Sequence, residues 1–159
     1  MKLYFLRHGI AVDREEWKGN DFDRPLTDEG RERVAREAKT IAKLDLGLDV
    51  LITSPLLRAK ETARIVADRL KMGDELIEDE RLGPDFDATR LSAILQERTV
   101  ADAIMLVGHD PSMTEMVGQL AGGARIDLKK GGLACVDVRD PASLNGQLVC
   151  LVTPKILVL

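Results

Sequence analysis

The only two histidines of the chain, His8 and His109, each directly follow a short apolar run. These runs, residues 3–6 and 104–107, have the continuous apolar character of strands that are buried on both faces. Ligands of open α/β sheets bind just beyond the carboxyl ends of the strands, so both imidazoles are expected at that edge. A single histidine there is more often structural, but both are flanked by glycine, which lets a ligand approach the backbone closely. The pattern favours one shared site.

Two arginines lie close to these positions in the predicted fold. Arg7 precedes His8, and regular alternation would send the two side chains to opposite faces, so the strand must end or twist there. Arg58 falls in the first turn of a predicted helix, where the helix dipole disfavours a cation unless an anion is bound at the helix start. The plainer alternatives are a salt bridge at the sheet edge for Arg7 and a solvated surface position for Arg58.

This combination of side chains suits phosphoryl transfer. Two guanidinium groups can hold the equatorial phosphoryl oxygens through bidentate contacts. One neutral imidazole can attack phosphorus in line, and a second, protonated, can stabilise charge where it accumulates. We expect no metal ion and no other cofactor, because the arginines supply the positive charge that magnesium would otherwise give.

The composition is that of an ordinary globular protein. The chain has 159 residues, so we expect one domain over 1–159, and its apolar content of 45% allows a real core. A net charge of -4 argues against nucleic acid as a partner, since that needs a basic face. Cys135 and Cys150 are too few for a disulfide framework or a zinc site, and they fit a reducing compartment. No apolar run suggests a signal peptide or a membrane partner, so we expect a cytoplasmic protein.

Strand-like and helix-like segments alternate along the chain. The predicted strands are 3–6, 50–53, 76–77, 104–107, 133–138 and 147–152, with 155–159 as a further short one. The predicted helices follow capping residues and cover 27–44, 54–70, 87–96 and 110–121, and residues 10–26 are expected to be a loop. The order predicts an α/β three-layer sandwich with a mainly parallel, roughly six-stranded central sheet and helices on both faces. The last two long strands are expected to form an antiparallel hairpin.

Three blocks of the sequence carry a family resemblance. They are Arg7-His8-Gly9, the segment SPLLRAKETA at 54–63, and Gly108-His109, in this order and each at a strand end. Together they resemble the histidine phosphatase (phosphoglycerate mutase-like) superfamily. The resemblance implies that His8 is the phosphorylated nucleophile and that Arg7, Arg58 and His109 form the phosphate pocket. The short chain and the segment DRPLTDEG at 23–30 are most similar to the SixA-type phosphohistidine phosphatases.

Glu80 is a further candidate catalytic residue. Ester-cleaving members of the superfamily use a carboxylic acid near this point of the chain to protonate the leaving alkoxide, and Glu80 resembles it in context. The alternative is a solvated carboxylate in the acidic cluster of Glu75, Glu78 and Asp79. A phosphohistidine substrate needs such an acid less, because imidazole is a better leaving group than an alkoxide.

The substrate is expected to be a histidine-phosphorylated protein domain. Only 28 residues separate Glu80 from His109, which leaves little chain for a lid, and an open site suits a side chain on another protein. A phosphatase or mutase for small phosphate esters is the main alternative. A non-catalytic phosphohistidine-binding module is a third, disfavoured because binding alone needs no free nucleophile. The turn KKGG at 129–132 is expected to be exposed and offers a docking point for an acidic protein.

Overall fold

A six-stranded mixed sheet forms the centre of the protein, whose computed structural model describes residues 1–159. The strands are β1 (Lys2–Arg7), β2 (Val50–Thr53), β3 (Leu76–Glu78), β4 (Ala103–Gly108), β5 (Leu133–Asp140) and β6 (Asn145–Val152). Their order is β3-β2-β4-β1-β5-β6. The first four are mutually parallel, and β5 and β6 add an antiparallel hairpin at one edge. Both the mainly parallel sheet and the terminal hairpin are confirmed.

Helices cover both faces of this sheet, which confirms the three-layer sandwich. They are α1 (Asp28–Lys43), α2 (Leu57–Leu70), α3 (Ala88–Gln96), α4 (Ser112–Leu120) and α5 (Pro154–Leu157). Strand β1 shows how the layers separate. Leu3 and Phe5 belong to the core shared with α3 and α4, whereas Tyr4 and Leu6 belong to the core shared with α1, α2 and α5. Alternate side chains of one strand therefore feed opposite cores.

Two helices begin where their capping residues predict. The side chain of Thr27 accepts a hydrogen bond from the backbone N–H of Gly30 at 2.9 Å and starts α1. The Asp87 side chain accepts one from the backbone N–H of Arg90 at 2.9 Å and starts α3. Each cap satisfies a donor that the first turn leaves free.

The predicted caps Ser54 and Asp110 are wrong. Helix α2 begins two residues, and α4 one residue, after the proline expected at the first helical position. The Ser54 hydroxyl accepts a hydrogen bond from the backbone N–H of Leu56, before the first helical residue, and contacts His109, while the Asp110 carboxylate pairs with Arg7. The two residues support the site instead of capping the helices.

The strand predicted at 155–159 is also wrong, because the chain forms the short helix α5 there. Pro154 is its first residue, a position where the missing N–H costs no hydrogen bond, and Leu157 is buried in the core beside α1. The predicted loop at 10–26 is held by an antiparallel bridge between Ala11 and Leu26. None of the helices combines the length and apolar character that crossing a bilayer requires.

Candidate active site

His8 is a buried, neutral imidazole just after the end of β1. Its Nδ1 lies 2.8 Å from the carbonyl oxygen of Gly9, and because a carbonyl only accepts, Nδ1 carries the proton. Burial lowers the pKa of His8 to about 3, although the Gly9 hydrogen bond opposes this shift. The nearby positive charges of Arg58 and Arg7 lower the pKa further. At neutral pH, Nε2 therefore keeps a free lone pair, as an in-line nucleophile requires.

His109 lies beside His8, with 5.3 Å between the ring centroids. Its Nε2 is 2.7 Å from the Ser54 hydroxyl oxygen, and its Nδ1 is buried without a hydrogen-bond partner. Burial, and next the charge of Arg58, lower the pKa of His109 to about 4, so the ring is neutral in the free protein. A bound phosphoryl dianion would raise this pKa, because an opposite charge favours the protonated imidazole. Protonation of His109 on substrate binding stays a prediction.

Arg58 is the second residue of α2, in the first turn as predicted, and only 5% of it is exposed. It donates from Nη1 to the carbonyl of Asp21 at 3.0 Å and from Nη2 to the Asp21 carboxylate at 3.2 Å. The Asp21 carboxylate is therefore one anion that offsets the charge of Arg58 at this helix start. Asp21 holds the guanidinium group of Arg58 in place, and the Nε of Arg58 remains buried without a hydrogen-bond partner.

Arg7 is the last residue of β1, so the strand ends before His8, as the sequence predicts. It donates from Nη1 to the carbonyl of Leu128 at 3.0 Å and lies 3.1 Å from a carboxylate oxygen of Asp110. Its Nε is buried without a partner. Buried polar groups nearly always have partners, yet nitrogens of Arg7, Arg58 and His109 are among the buried side-chain atoms that have none. The two arginines act on the pKa of His8 and the His109 ring lies beside it, so the structure brings the four predicted residues together, and phosphate binding by them stays a prediction.

Thr62 connects the two halves of this group and was missed by the sequence reasoning. Its hydroxyl accepts from the backbone N–H of Gly9 at 3.1 Å and donates to the carbonyl of Arg58 at 2.8 Å. The segment after β1 is thereby fixed to α2. The available signal was the four-residue spacing from Arg58, which places both residues on the same side of a helix.

Three further residues that orient the site were not predicted in that role. Asp21 holds Arg58, Ser54 holds His109, and Asp110 holds Arg7. Asp110 also accepts a hydrogen bond from the Thr114 hydroxyl at 2.7 Å. Each predicted phosphate-binding side chain is thus fixed by a neighbour distant in sequence, which limits its motion before substrate binds.

Glu80 stands apart from this buried group. It is exposed, begins a 3₁₀ turn at Glu80–Leu82, and makes no side-chain hydrogen bond or ion pair. It lines an open cleft of about 450 Å³ together with Pro55 and Leu56, which follow the site residue Ser54. The structure therefore places it beside the pocket and in solvent, and its role in catalysis stays a prediction.

A match to a protein-family model identifies the family to which the chain belongs. The family model described as histidine phosphatase superfamily (branch 1) matches residues 3–86, more than half of the chain. The chain belongs to the histidine phosphatase superfamily. The matched range includes His8 and its two arginine neighbours, and the membership supports phosphatase activity for the chain.

Individual relatives of this histidine phosphatase refine the picture. An uncharacterized protein of Picosynechococcus sp. is 36% identical over 98% of each chain. The phosphohistidine phosphatase SixA of Escherichia coli is 29% identical over 77% of this chain and 76% of its own. A solved structure of the protein histidine phosphatase SixA complexed with tungstate superposes with a TM-score of 0.87, at 26% identity and 99% coverage of both chains. The predicted SixA-like resemblance is confirmed.

The same fold also occurs in phosphatases with other names. The alpha-ribazole phosphatase from Shigella flexneri superposes with a TM-score of 0.74 at 19% identity over 97% of both chains, a similarity of fold alone. Similarity of fold therefore does not choose between a protein and a small-molecule substrate.

Proposed function

We propose that this phosphatase removes phosphoryl groups from phosphohistidine on a protein through a covalent intermediate on His8. The observation that carries the proposal is the buried His8 ring, protonated on Nδ1 and neutral, next to unpaired nitrogens of Arg7, Arg58 and His109. In the proposal a tetrahedral oxyanion binds beside these groups, and a solved structure of the similar SixA protein is complexed with tungstate, which is such an oxyanion.

The proposed reaction has two displacements at phosphorus. In the first, Nε2 of His8 forms a bond to phosphorus while the bond from phosphorus to the substrate nitrogen breaks. The leaving imidazole keeps that electron pair and is protonated from solvent. In the second, water attacks phosphorus and gives up a proton to solvent, and the bond to Nε2 breaks with its electron pair returning to the imidazole, which releases inorganic phosphate. Arg7, Arg58 and protonated His109 stabilise the phosphoryl oxygens in both steps, so we propose that no metal ion or other cofactor takes part.

The path of the chain supports a protein substrate. The segment between β3 and β4 forms α3, whose residues Leu91, Ile94 and Leu95 are buried in the core on one face of the sheet. Helix α3 is therefore committed to the core, and this segment lines the cleft beside the site only through residues within 80–85 and through Arg90. A phosphorylated side chain standing on another protein can reach an uncovered pocket, whereas a small ester gains more from a site that closes over it. We propose that this takes place in the cytoplasm.

Small phosphate esters remain the second candidate substrate, and one observation favours them. The open cleft that holds Glu80 also holds Leu56, close to Ser54 and hence to the pocket. An ester leaving group lying in this cleft would have a carboxyl group within reach of its oxygen. The third candidate, a phosphohistidine-binding module without catalysis, gives no reason for the free Nε2 of His8.

A paired kinetic assay in excess EDTA tests the proposal. One substrate is a histidine-phosphorylated phosphocarrier domain, and the other is a panel of small phosphate esters. We expect a much higher kcat/KM on the phosphorylated domain. A preference for an ester would assign the protein to small-molecule substrates, and activity that appears only with added metal would contradict the metal-independent mechanism.

A further inference from the structure

A cleft beside the phosphate pocket is lined mostly by cationic side chains. It has a volume of about 520 Å³, and its lining residues are Arg7, Ile10, Arg33, Lys129, Lys130, Thr153, Pro154 and Lys155. Five of these eight residues are cationic and none is acidic, although the whole chain has a net charge of -4. Positive charge is thus concentrated at this one place, which we call the basic cleft.

The basic cleft is continuous with the proposed active site through Arg7, which contributes to both. The turn that carries Lys129 and Lys130 also makes hydrogen bonds with the site residues Arg7 and His8. Its residue Leu128 accepts the hydrogen bond from Arg7, and the backbone N–H of Gly131 donates to the carbonyls of Arg7 and His8 at 3.0 and 3.2 Å. A molecule bound in the cleft therefore lies next to the phosphoryl group under attack.

Three of the five cationic side chains of the cleft are paired with carboxylates of the chain, and two are not. Arg7 pairs with Asp110, Arg33 with the buried Glu37 at 3.3 Å, and Lys129 with Asp127. Lys130 and Lys155 form no ion pair within the chain.

The three lysines of the cleft are accessible. Lys130, Lys155 and Lys129 are exposed, and they come from two separate elements, the turn before β5 and helix α5. Two uncompensated and accessible charges therefore face the same cleft.

We propose that the basic cleft docks an acidic segment that lies next to the phosphohistidine on the protein substrate. This inference rests on the proposed function, whose substrate class it narrows. Exposed lysines on flexible stems suit several carboxylates spread along a protein surface better than one small anion, which calls for buried donors held at fixed angles. The main effect of such charges is on the rate of encounter and on KM, and it weakens with salt.

The test compares a charge-neutral double variant of the cleft with a matched control. The cleft variant is Lys130→Gln with Lys155→Gln. The control is Lys43→Gln with Lys71→Gln. These two exposed lysines lie at the carboxyl ends of α1 and α2, near the amino ends of the parallel strands and so away from the site. The substrates are a histidine-phosphorylated domain with acidic residues around the phosphohistidine, and phosphoramidate, a P–N compound too small to reach the lysines.

We expect the cleft variant to lose roughly threefold to thirtyfold in kcat/KM on the acidic domain at low ionic strength, mainly through KM. Its activity on phosphoramidate should equal that of the wild type, and its loss on the domain should shrink at high salt. Neutralising the acidic residues of the domain should lower wild-type activity by a similar factor. An unchanged KM, an equal loss on phosphoramidate, or the same loss in the control variant would overturn the docking proposal.

A binding measurement separates this proposal from the function on which it rests. Calorimetry with the unphosphorylated acidic domain needs no catalysis. Weaker binding by the cleft variant than by the control supports docking, and equal binding by both refutes it, whether or not the wild type hydrolyses the phosphorylated domain. If the wild type binds the domain yet cleaves only esters, the proposed function fails while the docking surface stands.

Discussion

Replacing Thr62 by valine tests whether the link between the segment after β1 and helix α2 positions the catalytic groups. Thr62 is fully buried, and its hydroxyl is the acceptor for the backbone N–H of Gly9 and a donor to the carbonyl of Arg58. Valine keeps the shape of the side chain but removes both hydrogen bonds. The Gly9 N–H then stays buried without its acceptor, immediately after His8.

The expected magnitude follows from that unpaired donor. Leaving a buried polar group unsatisfied costs about 1–3 kcal/mol of the free energy of unfolding. For a domain of this size, each kcal/mol lowers Tm by about 2–4 °C, so we expect a decrease of about 2–12 °C. Loss of alignment between His8 and Arg58 should lower kcat by about tenfold to a hundredfold, with a smaller change in KM.

The assay combines thermal unfolding with steady-state kinetics on the wild type, Thr62→Val and Thr62→Ser. Serine restores the hydroxyl but removes a buried methyl group, which costs on the order of 1 kcal/mol. Serine should therefore recover kcat while it remains slightly destabilised. If valine retains wild-type kcat, or if serine loses as much kcat as valine, the hydroxyl does not position the site and the reasoning is wrong.

Three further predictions follow from burial and exposure. Burial holds the pKa of His8 near 3 in the folded protein, against about 6.5 in the unfolded chain. As the pH falls below 6.5, the unfolded chain takes up a proton that the folded protein does not, so the free energy of unfolding decreases, by about 2 kcal/mol at pH 5. Urea unfolding of His8→Gln should lack that loss, and a wild-type-like loss would contradict it. Burial raises the pKa of Glu37 to about 7, so its ionisation destabilises the fold as pH rises from 4.5 through 7. Glu37→Gln should therefore raise the free energy of unfolding more at pH 8 than at pH 5, and equal changes at both would refute this. Glu80→Gln should reduce ester cleavage much more than phosphohistidine cleavage in parallel assays, and equal losses would exclude Glu80 as the acid for the leaving alkoxide.

The features that the sequence predicted well depend on local or periodic signals. Continuous apolar runs located β1, β2 and β4, and their alternation with helices required a mainly parallel sheet with helices on both faces. Parallel strands bring their carboxyl ends to one edge, so the proximity of His8 and His109 followed from topology before any distance was known. Thr27 and Asp87 acted as caps because their partners lie three residues away.

The features that the sequence did not predict depend on contacts between distant residues. Ser54 has the sequence context of a cap, but it bonds His109, 55 residues further along the chain. The pairing of Asp21 with Arg58 likewise joins a polar loop without periodicity to a helix. The apolar run at the end of the chain is too short to distinguish a strand from a helix by its pattern. Pro154 at the first helical position and the burial of Leu157 favour the helix that forms there.

Trapping the phosphoenzyme tests the central claim most directly. The protein would be mixed with a ³²P-labelled histidine-phosphorylated domain, denatured in alkali within the first turnovers, digested and sequenced by mass spectrometry. The account predicts label on His8 alone, stable in alkali and labile in acid, and absent from His8→Ala, whose melting curve should remain cooperative. Turnover without label on the protein, or label on any other residue, would contradict it.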